Sequence, residues 1–201
     1  MPARRVIALT GGLCAGKSRV ADWLREIGWP VLDADRAARE VVAPDSEGLK
    51  RVVDAFGEAV LTADGQLDRP RLRQIVFNDP AAREQLEALL HPLIHARLRD
   101  ELTHLDTPLA FVEIPLLTES GRPDYVDEVW LVECDEATRL RRCVETRGLD
   151  EATCHAIMAA QAAPEARRAV ADHIIDNSGD WPSTVQQLQA LLHQAEMAAT
   201  P

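Results

Sequence analysis

Short apolar runs and helical stripes alternate along this chain, and their order predicts a layered α/β fold. Val6 to Thr10 is a compact apolar run closed by Gly11-Gly12, the signature of a buried strand. After it, Val20, Trp23, Leu24 and Ile27 recur at i, i+3, i+4 and i+7. That spacing puts them on one face of a helix that starts near Lys17 and is stopped by Gly28. Val31 and Leu32 form a second short strand running into Asp33-Ala34-Asp35, with Asp35 placed to cap a helix from Arg36. From 37 to 105 the pattern is helical with breaks at Pro44, Gly57, the turn 63–66, Pro70, Pro80 and Pro92, and Leu86, Leu89 and Leu90 make one apolar stripe. Strands return at 109–115, 128–134 and 173–177, with a charged helix at 136–146 between the last two. A final helix from Trp181 carries Val185, Leu188, Leu191 and Leu192 on one face, and 195–201 should fray. Strands alternating with helices predict a parallel sheet flanked by helices. The core then comprises 1–36 and 106–201, and 37–105 is a helical insertion.

Charge narrows what such a fold binds. The formal net charge is −11, which disfavours nucleic acid and anionic membranes as partners. A phosphate site here has to rely on backbone dipoles and a few placed cations. The four cysteines form no C-x-x-C pair and no His cluster has zinc spacing, so free thiols in a reducing compartment are expected. The apolar run near the N-terminus is too short for a signal peptide or a membrane span, which points to a cytoplasmic protein.

The stretch between the first strand and its helix carries the strongest chemical signal. Gly11, Gly16, Lys17 and Ser18 fit G-x-x-x-x-G-K-[ST] without a gap, in the strand–loop–helix context the motif needs. Glycines let backbone N–H groups turn inward, and the helix from Lys17 aims its positive end at an anion. Gly11, Gly12, Leu13, Cys14, Ala15 and Gly16 form the cradle. Lys17 reaches the β- and γ-phosphates and Ser18 offers its hydroxyl to Mg²⁺. Cys14 and Ala15 are small side chains at variable positions.

Three classes of protein use such a loop: a metabolite kinase, a guanine-nucleotide switch, and a nucleic-acid-coupled ATPase. No N-K-x-D stretch is present, since the only lysines are Lys17 and Lys50, and net charge disfavours the third class. A kinase needs a carboxylate near the acceptor, an acceptor pocket and a closing segment with arginines. Asp33 ends the second strand, where α/β sites form, and a carboxylate there can take the proton of an attacking hydroxyl. Glu113 and Glu119 follow the third strand as candidates for the metal or the acceptor, equally readable as solvated acids. Arg139, Arg141, Arg142 and Arg147 make a candidate lid, about 139–168, whose cations meet the transferring phosphoryl group. Arg139 and Arg141 also suit a solvated helix face paired with Glu136 and Glu145. Asn177, just past a strand, could contact a base edge or cap a turn. His91, before Pro92, reads as a helix-start residue or a contact to an acceptor's phosphate.

The segments LTGGLCAGKS, LDADRAAREVV, LHPLI, IPLLTE and AAQAAPEARRAVADHIIDN, running from Thr10 to Asn177, resemble the dephospho-CoA kinases. The resemblance implies a P-loop NTPase core, a helical CoA-binding domain and a small helical lid. It implies transfer of the ATP γ-phosphate to the ribose 3′-hydroxyl of dephospho-CoA, giving ADP and CoA. A monomer is expected, with a weak oligomer as the alternative. By matching positions, Asp33 would be the general base, Lys17 the phosphate clamp, Ser18 the Mg²⁺ ligand, and Arg142 and Asn177 would line the adenine. His91 with LHPLI, and the segment 67–77, would belong to the acceptor domain, with Glu119 on the substrate side. The sequence departs from the family pattern at Arg19, where Thr is common, at Glu113, where Asp is common, at Thr118, where an aromatic is common, and at Arg147, one residue late. The alternatives are another P-loop nucleoside or nucleotide kinase, or a nucleotide-binding regulator without phosphotransfer.

Overall fold

The computed structural model describes residues 4–199, and in it every strand joins one five-stranded parallel sheet. Strand β1, Arg5–Thr10, lies at its centre, in the order β2-β3-β1-β4-β5. From β1 the chain enters helix α1, Lys17–Glu26, and crosses to β2, Val31–Asp33, at one edge of the sheet. Helices α2, Ala34–Glu40, α3, Glu47–Phe56, α4, Arg69–Asn78, and α5, Pro80–Thr103, follow before β3, Leu109–Glu113, returns beside β1. The short helix α6, Leu117–Ser120, leads to β4, Glu128–Glu133, on the other side of β1. Helices α7, Glu136–Arg147, α8, Glu151–Ala159, and α9, Pro164–Ala169, connect to β5, His173–Asp176, and α10, Trp181–Ala199, closes the fold. The connection from β1 runs toward one edge and that from β4 toward the other. Ligand crevices open at such a reversal, outside the carboxyl ends of the strands.

Both faces of the sheet are covered, so its strands are apolar almost throughout, as parallel strands are. Ile7, Leu9, Leu109, Phe111, Trp130, Val132 and Ile175 meet Val20, Ala21 and Leu24 of α1 and Leu188, Leu192 and Ala195 of α10. Phe111 and Trp130 meet edge-on with centroids 5.4 Å apart. The strand entrances are tied by carboxylates. Asp127 accepts from the Val6 N–H at 2.7 Å and Asp172 from the Val129 N–H at 2.8 Å. The buried Glu128 accepts from Arg5 Nη2 and Trp130 Nε1, each at 2.6 Å, with His173 Nε2 3.0 Å away.

Residue contacts divide the chain into two units. One comprises the segments up to Asp33 and from Leu105 onward; the other is Ala34–His104. The second unit has its own core of Val42, Val52, Val60 and Leu72, joined by the half-buried Leu86 and Leu90. It is helical but for a 3₁₀ turn, Glu58–Val60, and an antiparallel bridge between Leu61 and Leu67 across the turn at Gly65, φ +76°.

Several expectations are corrected. Pro92 does not break the chain: it sits inside α5, a 24-residue helix, so His91 is a mid-helix residue and not a helix start. Pro80, in contrast, opens that helix behind the Asp79 cap, where its missing N–H costs nothing. Asp35 lies in the first turn of α2, which begins at Ala34, and so is not its cap. Ile27, placed on the apolar face of α1, follows the helix end and is 47% exposed. Helix α10 continues to Ala199 through most of the stretch expected to fray; Thr200 and Pro201 lie outside the described residues.

Removing the Glu128 carboxylate would strand a guanidinium, an indole N–H and an imidazole together. Glu128→Ala should cost about 3 kcal/mol of stability, read as a lower urea midpoint. An unchanged midpoint would mean that the cluster contributes nothing net.

Candidate active site at the carboxyl ends of β1, β2 and β3

The loop after β1 is shaped from behind. Turning several N–H groups toward one side points the intervening carbonyls back into the protein, where they need donors. Arg139 Nε donates to the Leu13 carbonyl at 3.0 Å. Asn177 Nδ2 donates to the Ala15 carbonyl at 2.8 Å, and Arg142 Nη1 approaches the same oxygen at 3.5 Å. Arg142 Nη2 also donates to the Asn177 carbonyl at 2.9 Å, while Thr184 Oγ1 donates to Asn177 Oδ1 at 3.0 Å. Two glycines are compulsory in this packing. A Cβ on Gly16, φ +98°, would stand 2.1 Å from Asn177 Nδ2, and one on Gly11 2.5 Å from the Val132 carbonyl. Cys14 itself takes a left-handed conformation, φ +57°.

On the open side, the Leu13 N–H donates to Gln161 Oε1 at 2.9 Å, and the same oxygen accepts from Arg139 Nη2 at 3.1 Å. A side-chain oxygen thus occupies one amide of the cradle. Lys17, first residue of α1, is ion-paired through Nζ with Glu113 Oε1, and Ser18 Oγ lies 3.4 Å from that oxygen. Glu113 is buried, and Arg25 Nη2 stands 4.0 Å from its other oxygen. Asp33 is in register with Glu113 on the adjacent strand. Side chains of registered parallel residues leave the sheet on the same face, and neighbouring strands lie about 4.8 Å apart. Two carboxylates, an ammonium and a hydroxyl therefore gather beside the loop.

The fit to known proteins follows this geometry. The family model for dephospho-CoA kinase matches residues 5–183. The dephospho-CoA kinase of Thiobacillus denitrificans is 48% identical over 94% of this chain and 93% of its own length. The solved dephospho-CoA kinase from Campylobacter jejuni superposes with a TM-score of 0.70 at 26% identity, over 94% of this chain and 98% of its own. A solved protein from Thermus thermophilus reaches a TM-score of 0.82 at 35% identity, over 95% and 97%.

This chain belongs to the dephospho-CoA kinase family.

The expected site residues of this family member fall in three places. The cradle, Lys17, Ser18 and Asp33 come together at the strand ends, with Arg142 and Asn177 behind the loop. Asn177 is 3% exposed, and its amide is engaged at both ends by loop and helix. Glu119, on α6, accepts from the Ala162 N–H at 2.9 Å and so pins the segment between α8 and α9. His91 lies in the other unit, its ring 6.1 Å from that of His95. Arg19 stacks 4.2 Å over the Trp181 ring.

Two residues of this site are not evident from sequence. Arg139 fits a solvated helix face there, but it is buried against the loop, with Leu13 and Gln161 as partners. Gln161 enters the sequence reading only within the segment AAQAAPEARRAVADHIIDN, with no role attached to it. Arg167 is also buried, donating to the Ala162 carbonyl at 2.5 Å; desolvation and the nearby Arg139 lower its pKa.

Gly16→Ala should weaken nucleoside triphosphate binding at least about tenfold, about 1.4 kcal/mol, in calorimetric titration. Equal binding would show that Asn177 does not shape the loop.

Proposed function

We infer that this chain transfers the γ-phosphate of ATP to the ribose 3′-hydroxyl of dephospho-CoA, giving ADP and CoA. This is the closing step of CoA biosynthesis. The observation that carries the reading is the in-register pair Asp33 and Glu113 beside Lys17 and Ser18, in a chain whose family is that of the dephospho-CoA kinases.

In this mechanism the loop amides and the α1 terminus hold the triphosphate. The Leu13 N–H exchanges Gln161 for a phosphate oxygen, and Lys17 leaves Glu113 to stand between the β- and γ-phosphates. Asp33 orients the 3′-hydroxyl and takes its proton as the new O–P bond forms and the bond to ADP breaks. Arg142 would neutralise charge on the transferring group, and α7–α9 would act as the lid. Asn177 would serve the adenine side mainly by bracing the loop. The unit Ala34–His104 would hold the CoA moiety, with His91 among its contacts, and Glu119 would support the substrate side through the segment it pins.

The residues present fit Mg²⁺. Ser18 and Glu113 are hard oxygen donors. Among the described residues, no group of three or more His, Cys, Asp or Glu could hold a metal. At nucleotide sites Mg²⁺ draws most of its ligands from phosphate and water. When bound, it would neutralise charge on the β- and γ-phosphate oxygens.

No described helix is long and apolar enough to cross a membrane. We place the reaction in the cytoplasm and in a monomer, with a weak oligomer as the alternative.

Asp33→Asn should lower kcat by about 10²-fold or more and leave ATP affinity nearly unchanged, in a coupled ADP assay with dephospho-CoA. Near-normal turnover would remove Asp33 as the base. In the same assay, a panel of nucleosides and nucleotides should be poor acceptors; preference for any of them over dephospho-CoA would overturn the substrate. Lys17→Ala should lower kcat/KM by at least about 10²-fold, and a smaller loss would mean that the Lys17 charge is not realised in the transition state.

A further inference from the structure

Three of the four cysteines, far apart in sequence, converge at the phosphate loop. Cys143 on α7 and Cys154 on α8 are both fully buried, with Sγ atoms 2.6 Å apart. That is only about half an ångström longer than a disulfide bond. Cys14, in the loop, is half-buried, and its thiol meets that of Cys143 and the guanidinium of Arg147. Burial raises the Cys14 pKa, Cys143 adds to this, and Arg147 opposes both by favouring the thiolate. Cys134 is not part of the group: its charged neighbours are Arg142, Arg139, Asp135 and Asp176.

We propose that Cys14, Cys143 and Cys154 form a thiol–disulfide relay, in which Cys14 is the entry thiol and the Cys143–Cys154 disulfide is the product. The co-reactant is a small-molecule disulfide. The Cys14 thiolate attacks one of its sulfurs, forming a mixed disulfide and releasing one thiolate. Cys143, deprotonated, attacks the Cys14 sulfur and expels the second small thiolate. Cys154, deprotonated in turn, attacks Cys143 and returns Cys14 as thiolate. The net change oxidises two protein thiols and reduces one disulfide to two thiols, with protons conserved. The order follows from access: only Cys14 of the three is reached by solvent, and only Cys143 touches both others.

The test is exposure of the native, nucleotide-free protein to oxidised glutathione, with thiol counting and peptide mapping by mass spectrometry. Two of the four thiols should disappear, with a Cys143–Cys154 cross-link, no retained glutathione, and full recovery on reduction. Stable glutathione on Cys14 with Cys143 and Cys154 still reduced would overturn the relay. So would four intact thiols in folded protein under conditions that oxidise the denatured chain. Cys14→Ser should slow cross-linking at least tenfold, and Cys154→Ser should halt it at a Cys14–Cys143 bond; a Cys14→Ser rate equal to that of the original protein would overturn the entry role. If a variant fails to fold, the mapping of the unsubstituted protein still decides. ATP should slow the first step by covering the loop. That arm rests on the nucleotide reading: slow oxidation without ATP speaks against the relay, whereas unchanged oxidation in ATP, once ATP binding is measured separately, speaks against Cys14 as the entry.

Discussion

A loop that offers its amides to an anion must hide its carbonyls, and the rest of this site depends on how that is done. Leu13 and Ala15 turn their oxygens away from the cradle, and Arg139, Asn177 and Arg142 meet them from behind. An orphaned buried carbonyl costs about 1–3 kcal/mol, so without these donors the loop would relax toward conformations that share its polarity between both sides. The side chains that supply the donors come from α7 and from the chain just after β5, which the parallel sheet carries to the carboxyl end of β1. The fold thereby serves the site twice: it opens the crevice at the strand reversal, and it delivers the braces that keep the crevice polarised.

The same arrangement reconciles an acidic protein with a polyanionic substrate. A net charge of −11 opposes the approach of a triphosphate. In the proposed site, Lys17, Arg139 and Arg142 together with the start of α1 would reverse that balance locally. Each of these cations has an oxygen partner within the protein. Lys17 rests on Glu113, and Arg139 shares Gln161 with the Leu13 amide. Both partners are oxygens, so in the proposed mechanism phosphate binding would exchange one set of acceptors for another.

What could be read from sequence alone follows the range of the interactions. Lys17, Ser18 and the glycines are legible because their chemistry is contained within eight consecutive residues. Asp33 is legible because a strand end has a known place in a parallel sheet. Arg139 is not, since its loop partner is 126 residues away and its spacing suits a solvated helix equally well. Gln161 is the same case at 148 residues. Pro92 misleads for a different reason: a proline reads locally as a stop, yet α5 continues through it, because neighbouring turns carry a helix across one lost hydrogen bond. The glutamate at 113 shows the intermediate case, where position is clear and partner is not; the ion pair with Lys17 emerges only when β3 lies beside β1.

The bond from Asn177 to Ala15 spans 162 residues. A contact of that range is among the last to form, since the entropy of closing so long a loop must be met first. During synthesis, the motif that identifies the loop emerges from the ribosome 162 residues ahead of the side chain that braces it. A nascent kinase therefore carries a recognisable nucleotide motif long before it carries a nucleotide site. In the proposed site, phosphate binding would depend on β5 having joined the sheet, which would make ligand affinity a report on whether the segment carrying Asn177 has docked.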